Sequence, residues 1–213
     1  IWAAGNRKED RASVFEMPAP VANRFIHLHV EPDYETFQTY AQKVQLHEQI
    51  RAFLAFRPEL LLNISADTPA WPSPRTWKRA SRLHKAELDI VTAVGEGAAG
   101  EFYTYLDVYT DLPDLERIIN GHGDDISFPT EVSVQYAATI GLSVRISTAQ
   151  EAVASLQWLL DNASREFTQL CLNDILPKLQ RKGALGSFLK AVEGDAKLED
   201  LVKQMEDLVG HHM

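Results

Sequence analysis

From Asp33 to the end of the chain, apolar residues recur every three or four positions, which is the spacing of one face of an α-helix. Asp33 stands before the first such run and is a favoured N-cap residue. Thr148-Ala149-Gln150-Glu151 has the form of a capping box in front of another run. We therefore predict a mainly α protein that is helical from Asp33 onward, with its last third helical throughout.

Two short segments near the start have a different pattern. Residues 1–4 are apolar, and residues 25–30 are rich in large apolar side chains and are followed by Pro32. A connection of about 20 residues between two strands suits a parallel crossover. We predict that these two strands and their connection, within residues 1–32, form a parallel α/β crossover. Because the chain starts inside the first predicted strand, we expect it to be a fragment of a longer protein.

Composition and charge limit the classes of function. The chain has 213 residues and a net charge of −9, and residues 101–213, with 9 basic and 18 acidic residues, account for the whole excess. Such a balance disfavours nucleic acid as a partner. No apolar run approaches the roughly 20 residues that a membrane span needs. The single cysteine, Cys171, lies between two leucines, so we expect a buried, reduced thiol and a cytoplasmic location.

Three donor side chains lie where ligand-binding groups are often found. Asn6 follows the first predicted strand, and Arg24 directly precedes the second. Arg75 follows Pro74, in the first turn of a predicted helix over residues 75–94, where a cation is unfavourable for the helix dipole. An anion shared with the helix start would explain that placement. The alternatives are a turn at Asn6 and a surface ion pair at Arg24.

The helix predicted after Pro74 also carries a basic stripe. No acidic residue lies between Asp67 and Glu87, and the stripe consists of Arg75, Lys78, Arg79, Arg82 and Lys85. Three interpretations remain open: a solvated face that pairs with acids of another helix, a phosphate site at the helix start, or contact with nucleic acid along the stripe.

Two other motifs are less specific. Gly95-Glu96-Gly97-Ala98-Ala99-Gly100 matches the dinucleotide-binding pattern, but no train of alternating strands and helices surrounds it, so a helix–helix loop is favoured. His27 and His29 share one face of the second predicted strand. No further ligand stands at a helpful spacing, so we predict no metal site.

Five short motifs, in this order, resemble the C-terminal half of MoxR-like AAA+ ATPases. They are Ala3-Ala4-Gly5-Asn6-Arg7, Met17-Pro18-Ala19-Pro20, Asn23-Arg24-Phe25, Phe56-Arg57-Pro58-Glu59 and Pro72-Ser73-Pro74-Arg75-Thr76-Trp77. The resemblance implies that residues 1–32 are the last two strands of the nucleotide-binding α/β core, that residues 33–147 are the helical lid domain, and that residues 148–213 are a C-terminal helical extension. It implies that Asn6 is sensor 1, that Arg24 is the arginine finger, and that Arg75 is sensor 2, which touches the nucleotide phosphates. It also implies ATP and Mg²⁺ in the full-length protein, a ring of subunits, commonly a hexamer, and a remodelled partner such as a von Willebrand A-type protein.

The chain departs from that family in a way that limits its activity. It contains no Gly-Lys pair, hence no phosphate loop, and no apolar strand ends in Asp-Glu to hold Mg²⁺. Asn23 stands where the family usually has Asp. We therefore expect an ATPase fragment that is inactive alone and binds no cofactor tightly. The main alternative is a non-enzymatic helical protein-interaction module.

Overall fold

The computed structural model describes residues 2–5, 17–65 and 67–210, and within these ranges the chain is built from α-helices. The helices are α1 (Ala19–Ala22), α2 (Tyr34–Lys43), α3 (Glu48–Phe56), α4 (Pro74–Lys85), α5 (Val91–Val94), α6 (Glu96–Leu106), α7 (Leu115–Ile119), α8 (Val132–Arg145), α9 (Ala149–Asn162), α10 (Arg165–Arg181), α11 (Leu185–Val192) and α12 (Ala196–Gly210). Two 3₁₀-helices follow α3 and α6, at Pro58–Leu61 and Asp107–Asp111. The mainly α prediction is confirmed.

Helix α8 is the central element of the fold. Both α3 and α10 pack against it. Small residues predominate among its buried positions, which are Val134, Ala137, Ala138, Thr139, Ile140, Gly141, Leu142 and Ser143. A Cβ atom on Gly141 would lie only 2.7 Å from Leu115 Cδ1, so the absence of a side chain lets α7 approach α8 closely.

Two apolar cores share α8. The first contains a cluster of aromatic rings from α3, α4 and α6, namely Phe53, Trp77, Phe102 and Tyr105. The second is formed by α7 and α9–α12 and includes Cys171, which is fully buried as the sequence predicted. Helix α8 contributes Ala137 and Ile140 to the first core, and Ala138 and Leu142 to the second. Burial on both sides explains why α8 lacks a clear polar face.

The two predicted strands are wrong. Residues 2–5 and 25–30 carry no strand, and no strand occurs elsewhere in the described part of the chain. A strand exists only through hydrogen bonds to a neighbouring strand, and the described residues offer none to residues 25–30. The predicted crossover is therefore not seen either: of its connection, only the short helix α1 and the turn after it are described.

The helix predicted over residues 75–94 is two helices. Helix α4 ends at Lys85, and Glu87 follows with a left-handed φ of 57°. The Asp89 carboxylate then accepts a hydrogen bond from the Val91 N–H at 2.9 Å, which starts α5. Of the three glycines predicted to form a loop, only Gly95, with φ 82°, separates two helices, α5 and α6. Gly97 and Gly100 lie within α6. Without a strand before Gly95, the dinucleotide-binding pattern loses its structural context.

Candidate functional site

A capping box fixes the first turn of α4, which carries Arg75. Ser73 is the N-cap: its hydroxyl accepts from the Thr76 N–H at 3.2 Å, while the Thr76 hydroxyl accepts from the Ser73 N–H at 2.7 Å. Pro74 occupies the first helical turn, where a missing N–H costs nothing. The capping box and Pro74 therefore fix the backbone of the turn that carries Arg75.

Trp77 anchors the same turn to the first core. Its side chain is fully buried, and its indole N–H donates to the Leu60 carbonyl at 2.8 Å. The ring packs against Phe53 and Phe102 with centroid separations of 5.7 Å and 6.5 Å. Since Trp77 points into the protein, Arg75, two positions earlier on the helix, faces solvent.

Arg75 has no carboxylate partner among the described side chains. The rest of the stripe behaves similarly: Lys85 donates to the Gln45 carbonyl at 2.6 Å, and Lys78 lies over the Tyr40 ring at 5.4 Å from its centroid. The interpretation of the stripe as a face that pairs with acids of another helix finds no support in this part of the chain. The guanidinium of Arg75 is available to an anion.

The other two predicted donors are less well defined. The Arg24 side chain is exposed in the turn after α1. The backbone N–H of Arg24 donates to the Val21 carbonyl at 3.1 Å. Asn6 lies outside the described residues. Their convergence with Arg75 upon one phosphate therefore stays a prediction.

A cavity of about 740 Å³ adjoins the segment that leads into α4. Its walls come from the loop before α4, with Trp71 and Pro72, and from the start of α6, with Gly95 and Glu96. The two walls are in close contact, because a Cβ atom on Gly95 would lie 2.6 Å from the Ala70 carbonyl oxygen. Arg75 does not line this cavity.

A second polar site, which the sequence did not indicate, lies where α2, α3, α8 and α10 meet. Arg51 and Asp174 form a buried ion pair there, each 6 % exposed. The Asp174 carboxylate also accepts hydrogen bonds from the Gln42 amide and, at 2.6 Å, from the Ser143 hydroxyl. The partners stand 123 residues apart in the chain, so no local spacing could have revealed the pair.

Lys178 completes this second site. Its ammonium group donates to the Ser143 carbonyl at 3.1 Å and to the Val144 carbonyl, which are carbonyls of the last turn of α8. Burial, and then the nearby charges of Lys182 and Arg51, lower the pKa of Lys178 to about 8. Lys178 therefore stays mostly protonated at neutral pH.

The described residues form neither a metal cluster nor a membrane-spanning helix. No group of three or more His, Cys, Asp or Glu side chains among them could hold a metal ion, and both His27 and His29 are exposed. None of the described helices combines the length and the apolar character that crossing a bilayer requires.

Comparison with known proteins adds no assignment. The chain matches no protein-family model, no curated protein and no solved structure.

Proposed function

We propose that this chain is the C-terminal half of a MoxR-like AAA+ ATPase and that Arg75 is its sensor 2. The observation that carries the proposal is an exposed arginine, without a carboxylate partner among the described side chains, in the first turn of a capped helix. An anion at this place meets both the positive end of the helix dipole and a guanidinium.

The role of Arg75 follows from its chemistry. Charge builds up on the phosphoryl oxygens during transfer, and a fixed guanidinium stabilises it. Since α4 belongs to the first core through Trp77, a phosphate bound at Arg75 would be mechanically linked to the helices of the lid. Asn6 as sensor 1 and Arg24 as arginine finger complete the proposal, with ATP and Mg²⁺ held by the rest of the protein in a ring of subunits.

The first experiment joins the chain to an upstream nucleotide-binding core that carries a phosphate loop. Arg75→Ala should lower ATP turnover by about 10²–10³-fold, by analogy with the loss of one oxyanion donor. Arg79→Ala is the matched control, because Arg79 is exposed on the same helix one turn later and should leave turnover within about twofold. Equal turnover in the wild type and the Arg75 variant would contradict the sensor 2 assignment.

The second experiment uses the 213-residue chain alone. A malachite-green assay should detect no ATP-dependent release of phosphate, because the sequence contains no phosphate loop. Phosphate release above the protein-free background, at a rate that scales with protein concentration, contradicts the proposal that this chain alone does not hydrolyse ATP.

A non-enzymatic helical interaction module is the second candidate. A specific observation favours it: Ile26, Leu28 and Val30 are 90 %, 73 % and 85 % exposed. Alternate apolar side chains so exposed are suited to contact with another protein surface. The joined protein separates the two candidates, since a protein that hydrolyses no ATP with an intact phosphate loop supports the module.

A further inference from the structure

We propose that the pocket between α2, α3, α8 and α10 binds a phosphate group, either as a free anion or as part of a nucleotide. The pocket has a volume of about 390 Å³, which lies within the usual range for small-ligand sites. It is separate from the Arg75 site and does not depend on the proposed ATPase function.

Cations outnumber anions in the walls of this pocket. Four cationic side chains line it, and Asp174 is the one acidic residue among the lining residues; the cations are Arg51, Lys178, Arg181 and Lys182. The chain as a whole carries a net charge of −9. A local excess of positive charge in an acidic protein attracts anions to that place.

A structural role for the ion pair accounts for only one of these cations. Asp174 neutralises Arg51, whereas Lys178, Arg181 and Lys182 have no carboxylate within ion-pair distance among the described side chains. Arg181 donates its Nε proton to the Pro177 carbonyl, within its own helix, at 3.2 Å. All three line the pocket, so three of its four cations have no carboxylate partner in the described part of the chain.

Arg51 contributes a second, independent observation. The residue is 6 % exposed and lines the pocket, yet its Nε–H has no hydrogen-bond partner among the described residues. A buried donor without a partner is rare, because its desolvation is not repaid by a hydrogen bond. Arg51 therefore has donor capacity beside the pocket that no described group uses.

The ligand chemistry follows from the geometry of the donors. Arg51 is held by Asp174, and Lys178 by the two carbonyls at the end of α8. Arg181 and Lys182 stand at the end of α10, where exposed cationic side chains can close over a bound anion. Two fixed and two movable cations suit a compact polyanion better than a single carboxylate.

The test measures binding of inorganic phosphate, pyrophosphate and ATP to the 213-residue chain by isothermal titration calorimetry at low salt. We expect saturable one-to-one binding of pyrophosphate. The variant with Arg181→Gln and Lys182→Gln removes two exposed cations, so the fold should survive, and the association constant should fall about tenfold or more. Unchanged circular dichroism checks the fold.

Two controls locate the bound anion. Lys190→Gln with Lys203→Gln removes the same charge from exposed positions of α11 and α12, outside the pocket, and should change the affinity less than about twofold. The proposal is overturned by the absence of saturable binding, by equal losses in both double variants, or by a loss confined to Arg75→Ala, which would place the anion at the start of α4. Binding of ATP in preference to pyrophosphate assigns the phosphate to a nucleotide, and the reverse assigns a free anion.

Discussion

The buried pair of Arg51 and Asp174 makes one prediction that combines stability with binding. Asp174→Asn keeps the size of the side chain but removes its charge and replaces one acceptor by a donor. The carboxylate accepts from three neighbours, Gln42, Arg51 and Ser143, and Asp174 is only 6 % exposed. After the substitution, Arg51 is a buried cation without a counterion.

The expected cost is large. Breaking a buried pair by removing one partner costs about 3–5 kcal/mol, chiefly because the remaining charge is uncompensated. A domain of ordinary stability has a free energy of unfolding of about 5–15 kcal/mol, so the variant loses a substantial part of it. Adding Arg51→Met removes the orphaned cation, and the double variant should therefore recover about 1 kcal/mol or more relative to Asp174→Asn alone.

Urea unfolding followed by tryptophan fluorescence measures these differences, since Trp77 and Trp158 are buried. Asp125→Asn is the matched control, because it breaks an exposed ion pair. The side chains of Arg117 and Asp125 are 47 % and 70 % exposed, and the substitution should lower the free energy of unfolding by less than about 1 kcal/mol. If Asp174→Asn costs no more than Asp125→Asn, the reasoning about the buried pair is refuted. The same substitution should strengthen pyrophosphate binding, because it removes the carboxylate from the walls of the pocket.

Two further predictions concern a glycine and a lysine. Gly95→Ala should lower the free energy of unfolding by about 1–3 kcal/mol, because its φ is 82° and the new Cβ would meet the Ala70 carbonyl oxygen at 2.6 Å; Gly97→Ala, in open space within α6, should instead stabilise by about 0.5–1 kcal/mol, and thermal melting compares the two. Sulfate, which does not titrate in this range, should bind the pocket less tightly as pH rises through about 8, because Lys178 loses its proton there. The charged groups around Lys178 are Arg51, Asp174, Lys182 and Glu151. The pKa of Lys178 lies below its ordinary value of 10.5, so the unfolded chain binds more protons between these values and folding becomes more favourable as pH rises from about 8 to 10.5. Calorimetric titrations from pH 6.5 to 9.5 check the binding, and an affinity that is constant across this range contradicts the role of Lys178.

Local signals in the sequence predicted local structure well. The Asp33 carboxylate caps α2 by accepting from the Thr36 N–H at 2.8 Å, and Thr148 forms the predicted capping box with Glu151. These features depend on residues three positions apart, so the sequence states them directly.

Features that depend on distant residues were missed or wrong. Residues 25–30 have the composition of a strand, but a strand also needs a partner, and the described residues provide none. The helix predicted through residue 94 stops at Lys85, Glu87 has a left-handed φ of 57°, and Asp89 accepts a hydrogen bond from the Tyr103 hydroxyl of α6 at 2.7 Å. The site around Arg51 and Asp174 joins helices from the two cores, which only the fold brings together.

The thiol of Cys171 is a natural probe for opening of the second core. It is the single cysteine of the chain, it is completely buried in the second core, and burial raises the pKa of its thiol, which suppresses the reactive thiolate. A thiol reagent can reach Cys171 only after the surrounding helices separate. The labelling rate of Cys171 therefore measures how often the second core opens. No engineered probe is needed to follow them.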